Sequence, residues 1–283
     1  MYRKTPLQTA HSKSYKMECL QPSRSFKIRG MSHVIQDAVG KGSRSMVSSS
    51  GGNAGLAAAY CCLQLKIPLT VFVPKSTQPK MIAYIKGYKA KIEVVGDTWQ
   101  EAHQEAIRFS NNQKSFLLHP FEGEKLWEGH STIIEECYEQ MEQPDMIVTS
   151  VGGGGLLMGI LKGIEKVGWQ NTKIVGVETE GAASFRGWLE KGDSFELNEI
   201  NTVATSLGAK KVTTGLNHYR HFDLNSQIVT DEEAIKGALY FESLFGFPVE
   251  PACGASIAAV NKESEYVKSS GRVLVVACGG SAF

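Results

Sequence analysis

Short apolar runs alternate with longer stretches of helical spacing from Met46 onward, and this rhythm leaves few folds open. MVSSS (46–50), LTVFV (69–73) and KIEVV (91–95) read as strands, separated by NAGLAAAYCCLQL (53–65) and a helix near Pro79 to Gly87, and followed by one from Asp97 to Ser110. SFLLHP (115–120), DMIVTSV (145–151) and KIVGVE (173–178) continue the strands, with helices over Lys125 to Met141 and LLMGILKGIEKV (156–167) between them. Thr230 and Glu233 form a capping box that opens the helix DEEAIKGALYFESL (231–244). Gly246 stands where a C-terminal cap belongs, and RVLVVA (272–277) is a last buried strand. Apolar strands spaced by helices need a sheet covered on both faces, so the expected class is α/β, with two open, mostly parallel twisted sheets covered by helices. Glycines cluster at two strand-to-helix junctions, after MVSSS and after DMIVTSV, which implies two lobes facing one cleft. The larger lobe is expected over residues 1–43 and 122–283, the smaller over 44–121.

Gly152 to Gly155 follow a strand and open a helix, so successive backbone N–H groups can converge on one anion. No Gly-Lys-Ser/Thr follows, which excludes the nucleoside-triphosphate loop and leaves a single phosphate as the natural guest; a tight turn is the alternative. In SSSGGNAG (48–55) small residues allow close backbone approach, and Asn53 can donate and accept, which suits a carboxylate and a ring hydroxyl; Asn53 could equally be a helix N-cap. QPSRSFKIRG (21–30) sets Lys27 beside Phe26 and a run of small polar residues. Partial burial there would lower the amine's pKa and suit it to Schiff-base chemistry, although an isolated lysine of this kind is ordinarily a solvated one.

The 283 residues are 42% hydrophobic and 21% charged with net charge +1, so no field favours nucleic acid or a membrane surface, and a small zwitterionic substrate fits better. Six cysteines at no metal-ligand spacing read as reduced thiols, and neither a secretory h-region nor a spanning stretch stands out, which places the chain in the cytoplasm.

A reactive lysine, an aromatic neighbour, a phosphate cradle and a carboxylate loop together describe pyridoxal 5′-phosphate holding an amino acid. With LWEGH (126–130), VETEGAASF (177–185), TSLGAKKV (205–212), VEPACGAS (249–256) and VVACGGS (275–281), the chain from about Lys16 to Ser281 resembles the L-serine/L-threonine dehydratases of the tryptophan-synthase-β-like family. The resemblance implies a cleft cofactor bonded to Lys27, with Phe26 on its ring, Asn53 on its hydroxyl, and Gly152, Gly153, Gly154, Gly155 and Leu156 on its phosphate. It sets Cys278 opposite the ring nitrogen, where a neutral thiol makes a weaker electron sink than a carboxylate; without the resemblance, Cys278 is a small buried hydrophobe. Ser50, Gly51, Asn53 and Ala54 would bind the substrate carboxylate. Glu178, Ala182, Ser184, Leu207 and Ala209 match the family's monovalent-cation site, which suits potassium. A homodimer is implied as well.

The implied reaction is dehydration of serine to pyruvate and ammonia, and of threonine to 2-oxobutanoate and ammonia. The alternatives are a β-replacing synthase or racemase of the same fold, a cofactor-binding protein with little catalysis, and a nucleotide-binding module. Related racemases carry serine where Gly51 stands, so elimination without racemisation is expected. The chain departs from the family in three places. About ten residues are missing between Pro6-Leu7 and Lys16-Met17, Arg24 replaces a usual glycine, and the chain stops soon after Ser281.

Overall fold

Two sheets organise the computed structural model, which describes residues 1–262 and 271–280; Ser281 of the CGGS motif lies outside them. The smaller sheet runs β5 (Lys91–Val94), β4 (Leu69–Val73), β3 (Met46–Ser48), β6 (Phe116–Leu118), all parallel. Its helices are α2 (Asn53–Leu65), α3 (Pro79–Gly87) and α4 (Trp99–Gln113). Thr98 and Glu101 close a capping box at the start of α4. The larger sheet has the order β1 (Leu7–Ala10), β2 (Lys13–Lys16), β10 (Val273–Val276), β7 (Met146–Ser150), β8 (Lys173–Thr179), β9 (Leu224–Val229). Only β1 and β2 pair antiparallel. Strands β7 and β10 are buried along their whole length, as central strands with helices on both faces must be. The two open, mostly parallel sheets expected from the apolar rhythm are therefore present.

Helices α5 (Glu124–Gln140), α6 (Gly155–Val167), α7 (Ser184–Lys191), α8 (Asp231–Phe245) and α9 (Pro251–Asn261) accompany the larger sheet. The capping box of Thr230 and Glu233 opens α8, and Gly246 closes it in the left-handed conformation. α6 is buried from Gly155 through Leu161, so Leu157, Ile160 and Leu161 join Val148, Val175 and Val275 in one apolar cluster. Burial of each such side chain is worth about 1.5–3 kcal/mol.

Residues 7–16 form β1 and β2, a hairpin turned on His11 and Ser12 at φ 47° and 61°. Two successive positive-φ residues make the primed turn that matches strand twist, usually built with Asn-Gly. No strand was expected here, because His-Ser carries no such signal.

Helix α1 (Lys27–Gly40), which the alternation did not reveal, fixes the site. A Cβ on Gly30 would lie 2.7 Å from the Leu126 carbonyl oxygen, and one on Gly129 would lie 2.5 Å from that of Arg29. α1 and α5 therefore touch backbone to backbone. On its other side α1 gives Ile28, Met31 and Ile35 to the apolar cluster of Ala57, Val71 and Ile85, so it packs into both lobes.

Candidate active site

Lys27 is the first residue of α1 and its amine donates to the Pro120 carbonyl oxygen at 2.7 Å. Its Nζ sits 5.1 Å from the centre of the Phe26 ring. Burial holds the amine down to about 8, against the opposing pull of Cys278 and Glu250. The positive end of α1 acts in the same direction as burial. An amine near 8 has a usable neutral fraction around neutral pH, which an ordinary lysine lacks.

The four glycines leave β7 and enter α6 with Gly154 at φ 87°. Met158 N–H closes the first α6 bond to the Gly154 carbonyl at 2.8 Å, so by helix geometry the amides of Gly155, Leu156 and Leu157 precede the bonded ladder. The loop has no room for side chains. A Cβ on Gly153 would fall 2.4 Å from Phe121 Cγ, one on Gly155 2.8 Å from the Phe121 carbonyl, and one on Gly152 3.0 Å from Leu207 Cα. Nearby Lys210 donates to the Asn198 carbonyl and Lys211 pairs with Glu196, so backbone amides remain the evident anion donors.

Across the cleft, Asn53 is the first residue of α2, and Gly52 rather than Asn53 occupies the cap position. Its amide donates to Glu250 Oε1 at 2.8 Å and to Ser206 Oγ at 3.3 Å. Ser50, Gly51 and Ala54 surround it, with Gly55 pressed so close to the Ser50 carbonyl that a Cβ would lie 1.8 Å from it. Cys278 ends the β10 run, and its carbonyl accepts Phe26 N–H at 3.1 Å, which sets it beside the lysine loop. Contact with the Cys253 thiol, then burial, pushes the Cys278 thiol well up, so it stays neutral.

Glu178 and Ser184 come together where β8 meets α7. The Glu178 carboxylate accepts the backbone N–H groups of Phe185 at 2.6 Å and Arg186 at 2.8 Å. Burial raises it to about 7 despite those donors. The Ser184 hydroxyl is buried without a hydrogen-bond partner among the described residues. Ala182 is buried one turn earlier, while Leu207 and Ala209 lie in the turn that packs on Gly152.

The sequence reading assigned no role to four other residues. Pro120 supplies the carbonyl that holds Lys27. His130 is fully buried, its ring 4.9 Å from that of Phe26, and neither ring nitrogen has a hydrogen-bond partner among the described residues. Burial keeps it well below the usual histidine range, so it backs Phe26 as a neutral wedge. Thr77 fills the space of a side chain at Gly51. Glu250 receives Asn53. The motifs LWEGH and VEPACGAS contain two of these, but their facing depends on contacts between distant segments.

These residues fit pyridoxal 5′-phosphate. The cradle is bare of side chains, the lysine amine is depressed, and the Ser25 and Ser150 hydroxyls beside the lysine loop and cradle are buried without hydrogen-bond partners among the described residues.

Comparison with known proteins agrees. Residues 1–279 match the family described as pyridoxal-phosphate dependent enzyme. The serine dehydratase-like protein of Mus musculus is 37% identical over 276 residues, 94% of this chain and 84% of that one. The L-serine dehydratase/L-threonine deaminase of Bos taurus is 38% identical over 277 residues, 94% and 85% of the two chains. The crystal structure of a fungal L-serine ammonia-lyase from Rhizomucor miehei superposes with a TM-score of 0.92 at 28% identity, over 99% of this chain and 94% of that one.

Proposed function

Since the chain belongs to the pyridoxal-phosphate dependent enzymes, we propose that it is an ammonia-lyase that dehydrates L-serine to pyruvate and ammonia, and L-threonine to 2-oxobutanoate and ammonia. The observation that carries this reading is the Lys27 amine, held near 8 between the bare cradle and the Asn53 loop. When bound, the cofactor would supply an electron sink for the bond pair released at the substrate Cα. Gly152 to Leu156 would hold its phosphate, Phe26 backed by His130 its ring face, Asn53 its hydroxyl, and Cys278 would face its ring nitrogen as a neutral thiol. The amides and hydroxyl of Ser50, Gly51, Asn53 and Ala54 would orient the substrate carboxylate. Lys27, as a neutral amine, would take the Cα proton. The β-hydroxyl then departs as water, and hydrolysis of the remaining carbon–nitrogen bond releases ammonia and the oxo acid, so one substrate gives one oxo acid and one ammonia.

Four further readings attach to this one. Residues 44–121 form the smaller domain and 1–43 with 122–283 the larger, which the separate sheets support. Glu178, Ser184 and the carbonyls of Ala182, Leu207 and Ala209 bind potassium, which the buried hydroxyl and raised carboxylate support. The protein is a homodimer, on the family resemblance, and sedimentation tests that. It works in the cytoplasm, consistent with the absence, among the described residues, of any helix long and apolar enough to cross a membrane.

The test is oxo-acid release from both amino acids by the purified protein and by Lys27→Ala. The variant is expected to lose at least about a thousandfold in kcat, since both covalent attachment and proton removal depend on that amine. Near-wild-type turnover by Lys27→Ala would overturn the assignment.

A further inference from the structure

Glu250 stands at the cap position of α9, yet its side chain makes no hydrogen bond to that helix's amides. The cap is served otherwise: Pro251 follows with no N–H to satisfy, and the Glu250 carbonyl accepts Cys253 N–H at 2.9 Å and Gly254 N–H at 3.0 Å. The carboxylate instead turns into the cleft, where Oε1 accepts the Asn53 amide at 2.8 Å from the opposite lobe. The end of the last strand makes way for it. A Cβ on Gly280, which sits at φ 131°, would fall 2.1 Å from Glu250 Cδ. Glu250 is 4% exposed, and a carboxylate so buried costs several kcal/mol unless donors and a countercharge offset it. Asn53 supplies an amide donor, and among the described residues the Lys27 amine feels the charge of Glu250.

We propose that Glu250 is a positioning residue of the site: its carboxylate clamps the Asn53 amide across the cleft, and its negative charge acts on the Lys27 amine and, through Asn53, would act on a bound cofactor. The neutral thiol of Cys278 is then not the only polar side chain that bears on the lysine. The site holds a carboxylate after all, contributed by α9 rather than by the end of β10.

The groups facing Lys27 separate its influence from the others. Burial lowers the amine; of the two groups that oppose burial, Cys278 acts only as a thiolate and Glu250 as a carboxylate, and His119 and His130 are themselves held neutral by burial. With the thiol neutral, Glu250 is the only full negative charge among the groups named. Glu250→Gln keeps shape and the Asn53 contact but removes the charge, so the midpoint of Lys27 should fall by about one pH unit, the low end of what one adjacent opposite charge produces. Ser206→Ala breaks the bond from Asn53 to the Ser206 hydroxyl, at 3.3 Å, and removes no charge, so it should leave that midpoint in place. Glu250→Asp keeps a charge but draws it back, so its midpoint should lie between wild type and the Gln variant.

The measurement is competitive acylation of Lys27 in the full-length protein before pyridoxal 5′-phosphate is added, read by mass spectrometry from pH 6 to 10. A second readout follows reconstitution: the pH dependence of the absorption spectrum should move in Glu250→Gln and not in Ser206→Ala. Although the inference rests on the proposed dehydratase reading, the acylation needs neither cofactor nor substrate, so either can fail without the other. Coincident titration of Lys27 in wild type and Glu250→Gln would reject it, as would a shift in Ser206→Ala equal to that in Glu250→Gln.

Discussion

A side chain at position 51 has nowhere to go, because its Cβ would fall 2.6 Å from Thr77 Cγ2, 2.9 Å from Thr77 Oγ1 and 3.1 Å from Val73 Cγ1. Related racemases carry serine at this position, and from its absence elimination without racemisation is expected. The structure adds that the loop after β4 already occupies that space. Gly51→Ser alone is therefore expected to lower the melting temperature, with overpacking of about 1–3 kcal/mol, and to slow pyruvate release. Thr77→Ala in the same chain should restore both and only then let D-serine appear. Additive losses in the double variant would show that the two residues do not compete for one space. At Arg24 the usual glycine has a conformational reason: φ is 60°, and the residue's carbonyl accepts Gly280 N–H at 2.9 Å. Arg24→Gly should stabilise by about 1 kcal/mol, seen as a higher denaturation midpoint. Lys27 was legible in the sequence because its context is local. Thr77 and Glu250 were not, because each acts on a residue far along the chain.

Helix α1 carries the lysine, and a buried ionic cluster holds it down. Arg29, 0% exposed, bonds Glu18 through Nε at 2.7 Å and Nη2 at 2.8 Å, and Glu136 through Nη1 and Nη2 at 2.7 Å each. Lys16 completes it, donating to Glu136 at 2.6 Å and to the Thr5 carbonyl at 2.7 Å. Two cations thus offset two carboxylates among α1, α5, β2 and the turn after it. Arg29→Met strands the Glu18 carboxylate and should cost about 3–5 kcal/mol, whereas adding Glu18→Leu should recover most of it. The cluster also sets acid sensitivity. The two cations hold Glu136 below its usual 4.5 against burial, so its contribution is present above 4.5 and is lost as pH falls through the native value. Urea midpoints should therefore drop on acidification in wild type and drop less in the double variant. None of this was readable beforehand: α1 follows no apolar strand, and its polar residues at buried positions break the pattern that revealed the other helices. The strands from β3 to β8 were readable, because near-continuous apolar runs leave a covered parallel sheet as their only economical burial.

At the scale of the whole molecule the question is what ties the far edge of the larger sheet to the cleft. Glu178 ends β8 beside β9, receives the first amides of α7, and takes the Ser226 hydroxyl at 3.3 Å. The turn bearing Leu207 and Ala209 packs on Gly152, and its neighbour Ser206 receives Asn53 from the smaller lobe. A potassium ion drawn to both groups would connect the sheet edge, the cradle and the opposite lobe through oxygen ligands alone. A cation that binds only the folded protein stabilises it by mass action, by about 2.7 kcal/mol at a hundred times its dissociation constant. The melting temperature and the rate of pyruvate release should both be higher in potassium than in lithium at equal ionic strength. Glu178→Gln, which keeps the volume and removes the charge that attracts the ion, should abolish both differences while the protein still folds. A tie confined to the sheet edge would raise the melting temperature and leave the rate alone. Only a rate that rises with it, and loses its salt dependence in Glu178→Gln, places the ion in the connection between that edge and the lysine.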